Sequence, residues 1–234
     1  VIEGITIERG FIEARQGGAG TSDATIRGNT ILQTSTSNNA IRISSSNTQP
    51  PYGPTLFRVE DNRVHIAVGP TDNISAISVD SLQAGGNVGA IRGNVIEQLG
   101  GNQRAAIGVG TGGVTLEIDV IGNRISGGGF NAGISIFQFD EFGSVFARIV
   151  NNEISGQVDA AGLPAGIGLN VSGGFADFLV VNNTVAFNET GVFLSGRPDL
   201  GAEALAIFSN NIIAFNDVGL VIGEFEDKTI NDFN

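Results

Sequence analysis

Two stretches near the C-terminus are near copies of one another: Asn183-Thr-Val-Ala-Phe-Asn188-Glu-Thr-Gly191-Val-Phe-Leu194 and Asn211-Ile-Ile-Ala-Phe-Asn216-Asp-Val-Gly219-Leu-Val-Ile222. Working outward, the leading asparagine recurs along the whole chain as Asn29, Asn62, Asn94, Asn123, Asn152, Asn183 and Asn211, at intervals of 33, 32, 29, 29, 31 and 28 residues. A spacing near 30 is the mark of a repeat architecture. The flanks recur with it. Three residues before each asparagine stand Ile26, Val59, Ile91, Val120, Ile149, Val180 and Phe208, and two after it stand Ile31, Val64, Ile96, Ile125, Ile154, Val185 and Ile213. The residue just before is Gly28, Asp61, Gly93, Gly122, Asn151, Asn182 or Asn210, all turn formers tolerant of positive φ.

A second element follows each asparagine: Ile41-Arg-Ile43, Ile77-Ser-Val79, Ile107-Gly-Val109, Ile134-Ser-Ile136, Ile167-Gly-Leu169, Val192-Phe-Leu194 and Leu220-Val-Ile222, with Ile5-Thr-Ile7 read as an earlier copy. Short alternations of this kind predict strands with one buried face, three to a repeat. No segment carries a sustained helical period. Apolar columns so short can be buried only by stacking each repeat on the next. The expected fold is therefore all-β: a right-handed parallel β-helix of about seven to eight coils with three short strands each. The asparagine falls at a sharp turn, where an inward amide donates and accepts between neighbouring coils and forms a ladder.

The near copies resemble the parallel β-helix repeat of the right-handed β-helix, or pectin-lyase-like, superfamily, and the resemblance runs over essentially the whole chain. It implies the fold and leaves the activity open, because that superfamily holds polysaccharide lyases, hydrolases, epimerases, adhesins and phage spikes. Its lyases rely on a carboxylate cluster for calcium with an Arg or Lys base, and its glycoside hydrolases on two or three convergent carboxylates.

Composition removes several classes. The chain has no Cys, so disulfides, Cys-ligated metals and thiol nucleophiles are excluded. Twelve basic against 24 acidic side chains give a net charge of −12, a poor match for nucleic acid or an anionic membrane. No apolar run is long enough for a membrane span. Sequence position 1 falls inside one coil and position 234 inside another, so the expectation is a single β-helix domain over 1–234, a segment of a longer chain open at both ends. An acidic, Cys-free solenoid suits an exported setting, extracellular or on a cell surface, in a bacterium.

Loop lengths locate a decorated face. The inserts 44–55, 80–87, 137–144, 170–177 and 195–204 follow the Ile-x-Ile strand, and 33–40, 65–76 and 156–166 precede it. A groove over that sheet would have Thr6, Arg42, Ser78, Gly108, Ser135, Gly168, Phe193 and Val221 as its floor. Asp80, beside Ser78 and Arg42, is its nearest approach to a catalytic group. The loop Phe137-Gln-Phe139-Asp140-Glu141-Phe142 interleaves three aromatics with two acids, and with Tyr52 it is the candidate ligand wall. Asp140 and Glu141 have the chemistry for a hard cation such as calcium, without the spaced Asp/Asn/Gly loop that calcium sites use; otherwise no cofactor is expected. His65, the lone histidine, reads as a solvent-facing strand-end residue; an acid/base role would give it Asp72 or Asp80 as partner. No catalytic set emerges.

Two functions of different class remain. One is a non-catalytic structural or binding segment with an adhesion or scaffold role; the other is a polysaccharide-active lyase, hydrolase or epimerase. Absence of Trp and a single Tyr count against a sugar platform. The outward columns add one expectation. Early coils carry charge there, whereas Leu179, Val181, Ile207 and Ile212, with Phe193 and Val221 on the groove sheet, are apolar and predict cover by another segment, domain or subunit.

Overall fold

The computed structural model describes residues 1–16, 21–33, 39–45, 54–67, 75–82, 86–98, 105–112, 114–128, 131–138, 143–157, 165–225 and 227–233. The chain winds through three sheets in turn, and every adjacent strand pair is parallel. Sheet A has nine strands, from Ile2–Glu3 to Asp227–Phe233. Sheet B has eight, from Thr6–Glu8 to Ile212–Ala214, and sheet C has eight, from Ile12–Gln16 to Val218–Ile222. A typical coil runs Thr115–Ile121 in A, Arg124–Ser126 in B and Ala132–Gln138 in C. The next strand, Ser144–Val150, then lies back on Thr115–Ile121 without a register shift. Six coils, from Ser22–Arg27 to Thr190–Gly196, have neighbours on both sides in all three sheets, against the seven to eight expected.

Alternation decides what is buried. The seven residues three before the ladder asparagines, Ile26 through Phe208, are at most 1% exposed, as are six of the seven two after it. Ile213, the seventh, is only partly buried because sheet B ends at its strand. Each of these side chains, wholly removed from water, contributes about 1.5–3 kcal/mol, and a lone coil would forfeit it.

The ladder stands at the A–B corner. Each rung's Oδ1 accepts from the preceding rung's Nδ2, at 2.9–3.0 Å from Asn29–Asn62 to Asn183–Asn211. The same oxygen accepts the preceding rung's backbone N–H. Each Nδ2 also donates to a carbonyl of the coil before, as Asn123 does to Ile91 at 2.9 Å. The residue ahead of every rung adopts positive φ, from 54° at Asn210 to 63° at Gly122, so the turn formers sit where a left-handed residue is needed.

The first coil corrects the reading of Ile5-Thr-Ile7. Thr6 pairs with Thr30 and Ile7 with Ile31, which places this stretch in sheet B. The sheet C strand of that coil is Ile12–Gln16, with Ile12 against Ile41 and Ala14 against Ile43. Ile5 occupies the rung position itself, its N–H donating to Asn29 Oδ1 at 3.1 Å. A rung without an amide ends the ladder there, and the alternation of a B strand is locally indistinguishable from that of a C strand. Two of the expected inserts also shrink. At 170–177 only residues 172–174 separate Ala165–Val171 from Phe175–Val181, and in 195–204 strand Thr190–Gly196 is followed by a short 3-10 turn, Pro198–Leu200.

Candidate functional site

The outer face of sheet C is built from residues alternating with the buried Ile-x-Ile pairs. Register aligns Glu13, Arg42, Ser78, Gly108, Ser135, Gly168, Phe193 and Val221 in one column. The expected floor is therefore present, with Glu13 in the place given to Thr6. A cavity of about 330 Å³ lies over its middle, lined by Ser78, Asp80, Gly108, Asn131, Ser135 and Phe137 among others. Small floor residues make the depression; their neighbours make its rim.

The charged end of the floor is closed on itself. Arg42 donates to Asp80 Oδ1 from Nη2 at 3.0 Å and from Nε at 3.3 Å, and its Nη1 lies 3.8 Å from Glu13 Oε1. Ser78 Oγ donates to the other Asp80 oxygen at 2.9 Å. Glu13 also takes Arg15 Nη2 at 3.0 Å. The hydrogen bond to Asp80 pushes the Arg42 pKa above its ordinary value despite partial burial, with the charges of Asp80 and Glu13 adding to it. Such an arrangement can orient a polar ligand. As a proton-transfer site it has a carboxylate already committed to a guanidinium.

The remaining expected residues divide. Phe137 lies inside the strand Ala132–Gln138, half-buried beside Asn170, and lines the cavity as part of the sheet rather than a loop. Tyr52, Phe139, Asp140, Glu141 and Phe142 lie outside the described residues, as does Asp72. Among the described residues no group of three His, Asp or Glu is placed to hold a metal ion. His65 sits on sheet B, its Nδ1 3.6 Å from Glu97 Oε2, its partner in register; Asp80 is on another sheet. The six apolar residues expected to form one interface fall on three faces, because each sheet aims its outward side chains differently. Leu179, Val181 and Ile207 belong to sheet A, Ile212 to sheet B, and Phe193 and Val221 to sheet C. Ile212 is 59% exposed, and the other five are half-buried.

Three features were not anticipated. A cavity of about 730 Å³ lies on the outer face of sheet A around Ala90, between Arg58, Arg92, Phe146, Arg148 and Leu179. A second, shorter ladder stands at the B–C corner, where Asn188 Nδ2 donates to Asn216 Oδ1 at 3.0 Å and the Gln157 N–H to Asn188 Oδ1 at 3.0 Å. Beside it, Phe187 and Phe215 stack at 5.1 Å between centroids, 61% and 78% exposed, with φ of 58° and 56°. The repeated Ala-Phe-Asn of the two near copies was the signal for the last two.

These features define the class: a parallel β-solenoid of three sheets with an asparagine ladder at one corner. No protein-family model, curated protein or solved structure matches the chain in comparisons with each. Among the described residues, no helix is long and apolar enough to cross a membrane.

Proposed function

We propose that this chain is a non-catalytic binding or scaffold segment of a secreted or cell-surface protein, bacterial in type. In this reading it is a right-handed β-helix of the pectin-lyase-like kind that takes a ligand on the outer face of sheet C. The observation that carries the reading is the character of that floor. Ser78, Gly108 and Ser135 underlie the 330 Å³ cavity with hydroxyls and exposed backbone, while the adjoining carboxylates of Asp80 and Glu13 are engaged by Arg42. Small polar floors grip an extended neutral chain through hydrogen bonds and shape. With a net charge of −12, a polyanion would need bridging cations.

The second reading is a polysaccharide-active enzyme, favoured by the Ser78–Asp80–Arg42 group at the cavity edge. One experiment separates the two. The purified protein is incubated with neutral and acidic polysaccharides, and binding is measured alongside release of reducing ends and unsaturated uronates. Binding without product supports the scaffold. Product formation that Asp80→Asn abolishes replaces it with the enzyme, and neither binding nor product removes sheet C from consideration. Fractionation of the source cells tests the location, and confinement to the cytosol would refute it.

A further inference from the structure

The outer face of sheet A carries a pattern that stacking alone does not require. Reading up the solenoid, its central column is Arg58, Ala90, Asp119, Arg148, Leu179, Ile207, one residue per coil and in register throughout. The first three are base, small, acid; the last three are base, large apolar, large apolar. Reversed against itself, the column matches a small residue to a large one and an acid to a base.

We propose that this face is a two-fold interface with a second copy of the chain. The axis lies in the face, parallel to the strands and midway between Thr115–Ile121 and Ser144–Val150. It sets Asp119 opposite the partner's Arg148, and Ala90 opposite the partner's Leu179, with both contacts made twice. The 730 Å³ depression around Ala90 then receives a Leu side chain from across the interface. Arg58 lays its aliphatic stem over the partner's Ile207.

Three further observations favour a second copy as the occupant. First, the cavity lining holds three arginines (Arg58, Arg92, Arg148) and three carboxylates (Glu117, Asp119, Asp177), and is neutral in a chain of −12. Two such chains repel through most of their surface and meet without net charge repulsion here. Second, nine strands about 4.8 Å apart, most of six or seven residues at about 3.3 Å each, give a face of roughly 800 Å², what each partner of a stable complex buries. Sheet B, with strands of three or four residues, offers about half as much. Third, Arg148, 60% exposed, has its guanidinium open beyond its 3.5 Å contact with Asp119.

Charge reversal tests the pairing itself. Wild-type protein should sediment at twice its 24.1 kDa mass at about 100 μM, above the micromolar limit for interfaces of this size. Asp119→Arg and Arg148→Asp should each weaken dimerisation by at least ~100-fold, since each places like charges together twice. Mixed in equal amounts, the two variants should form a heterodimer. The arginine introduced in one chain then meets the aspartate introduced in the other, and the second contact keeps its native acid–base pair. Leu179→Glu, a surface change that keeps the fold, should be monomeric alone and in every mixture; circular dichroism confirms that each variant is folded. A monomeric wild type, variants that still dimerise, or a mixture that stays monomeric would overturn the proposal.

Discussion

The two corners flanking sheet B face the same problem and solve it differently. At the A–B corner every coil from the second on spends one asparagine and one left-handed residue, and the turn never changes length. At the B–C corner the left-handed position holds Gly127 and Gly156 in the middle coils but Phe187 and Phe215 in the last two, and among the described residues the amide ladder is Gln157, Asn188 and Asn216. Chain length after that corner varies from coil to coil. An invariant corner holds the stack together; a variable one leaves room for residues that meet something outside. The left-handed phenylalanines each cost about 1–2 kcal/mol relative to an unstrained backbone, and their stack returns about 0.5–1.5 kcal/mol.

Breaking the invariant corner should have the largest effect. Asn123→Ala removes the acceptor for the Asn94 N–H and Nδ2 and the donor to Ile91 O, all buried. At about 1–3 kcal/mol for each group left unpaired, chemical denaturation should show a loss of about 3 kcal/mol or more. A loss below about 1 kcal/mol, the low end for even one such group, would mean the ladder is decorative. Next comes the entrance to sheet C. Early coils open that strand with Ala76 and Ala106, both fully buried, and later ones with Gly133, Gly166 and Gly191. A Cβ on Gly166 would collide with Val185 and sit 2.8 Å from Gly191 O. Gly166→Ala should therefore cost about 1–3 kcal/mol by overpacking, whereas Ala106→Gly should cost about 1 kcal/mol through backbone freedom.

Smaller effects sharpen the contrast. Phe187→Gly relieves the strained backbone and loses the ring stack, so stability should move by no more than about 1.5 kcal/mol in either direction. Asp199 marks the floor of the scale. The hydrogen bond from Arg197 lowers its pKa, with the arginine's charge also favouring the carboxylate, yet both groups are exposed. Being lowered in the folded state, this pKa lends stability above the ordinary carboxylate range, and that is lost as pH falls through the folded value. Asp199→Asn should lower the melting temperature only slightly at pH 7, because the pair is exposed, and that small difference should vanish in acid.

Much of this is legible from the amino acids because one rung is spelled by one residue type. Asn29 to Asn211 can be aligned by eye, and their apolar flanks fix the inward columns. What fails, fails for local reasons. Ile5-Thr-Ile7 reads as a sheet C strand because an Ile-x-Ile alternation carries no label for its sheet, and the asparagine that would have marked the corner is Ile5 itself. The second ladder is hidden because glutamine takes the third place at Gln157. The hollow around Ala90 depends on its long neighbours Arg58 and Arg92, which only register brings together. Leu179, Ile212 and Phe193 look like one apolar surface because the linear sequence does not show that their sheets face different ways.

Amide exchange at asparagine side chains tests the contrast between corner and surface most directly. In uniformly ¹⁵N-labelled protein the Nδ2 hydrogens of Asn29, Asn62, Asn94, Asn123, Asn152, Asn183 and Asn211 can be followed beside those of the exposed turn residues Asn151, Asn182 and Asn210. The seven rung amides all donate to a carbonyl of the coil before, in bonds that are buried from Asn62 on and part-buried at Asn29. They should exchange orders of magnitude more slowly than the three neighbours, with Asn94, Asn123 and Asn152 slowest because they lie deepest in the stack, farthest from its two ends. Rung amides exchanging as fast as Asn151, Asn182 and Asn210 would contradict the ladder and the solenoid built on it.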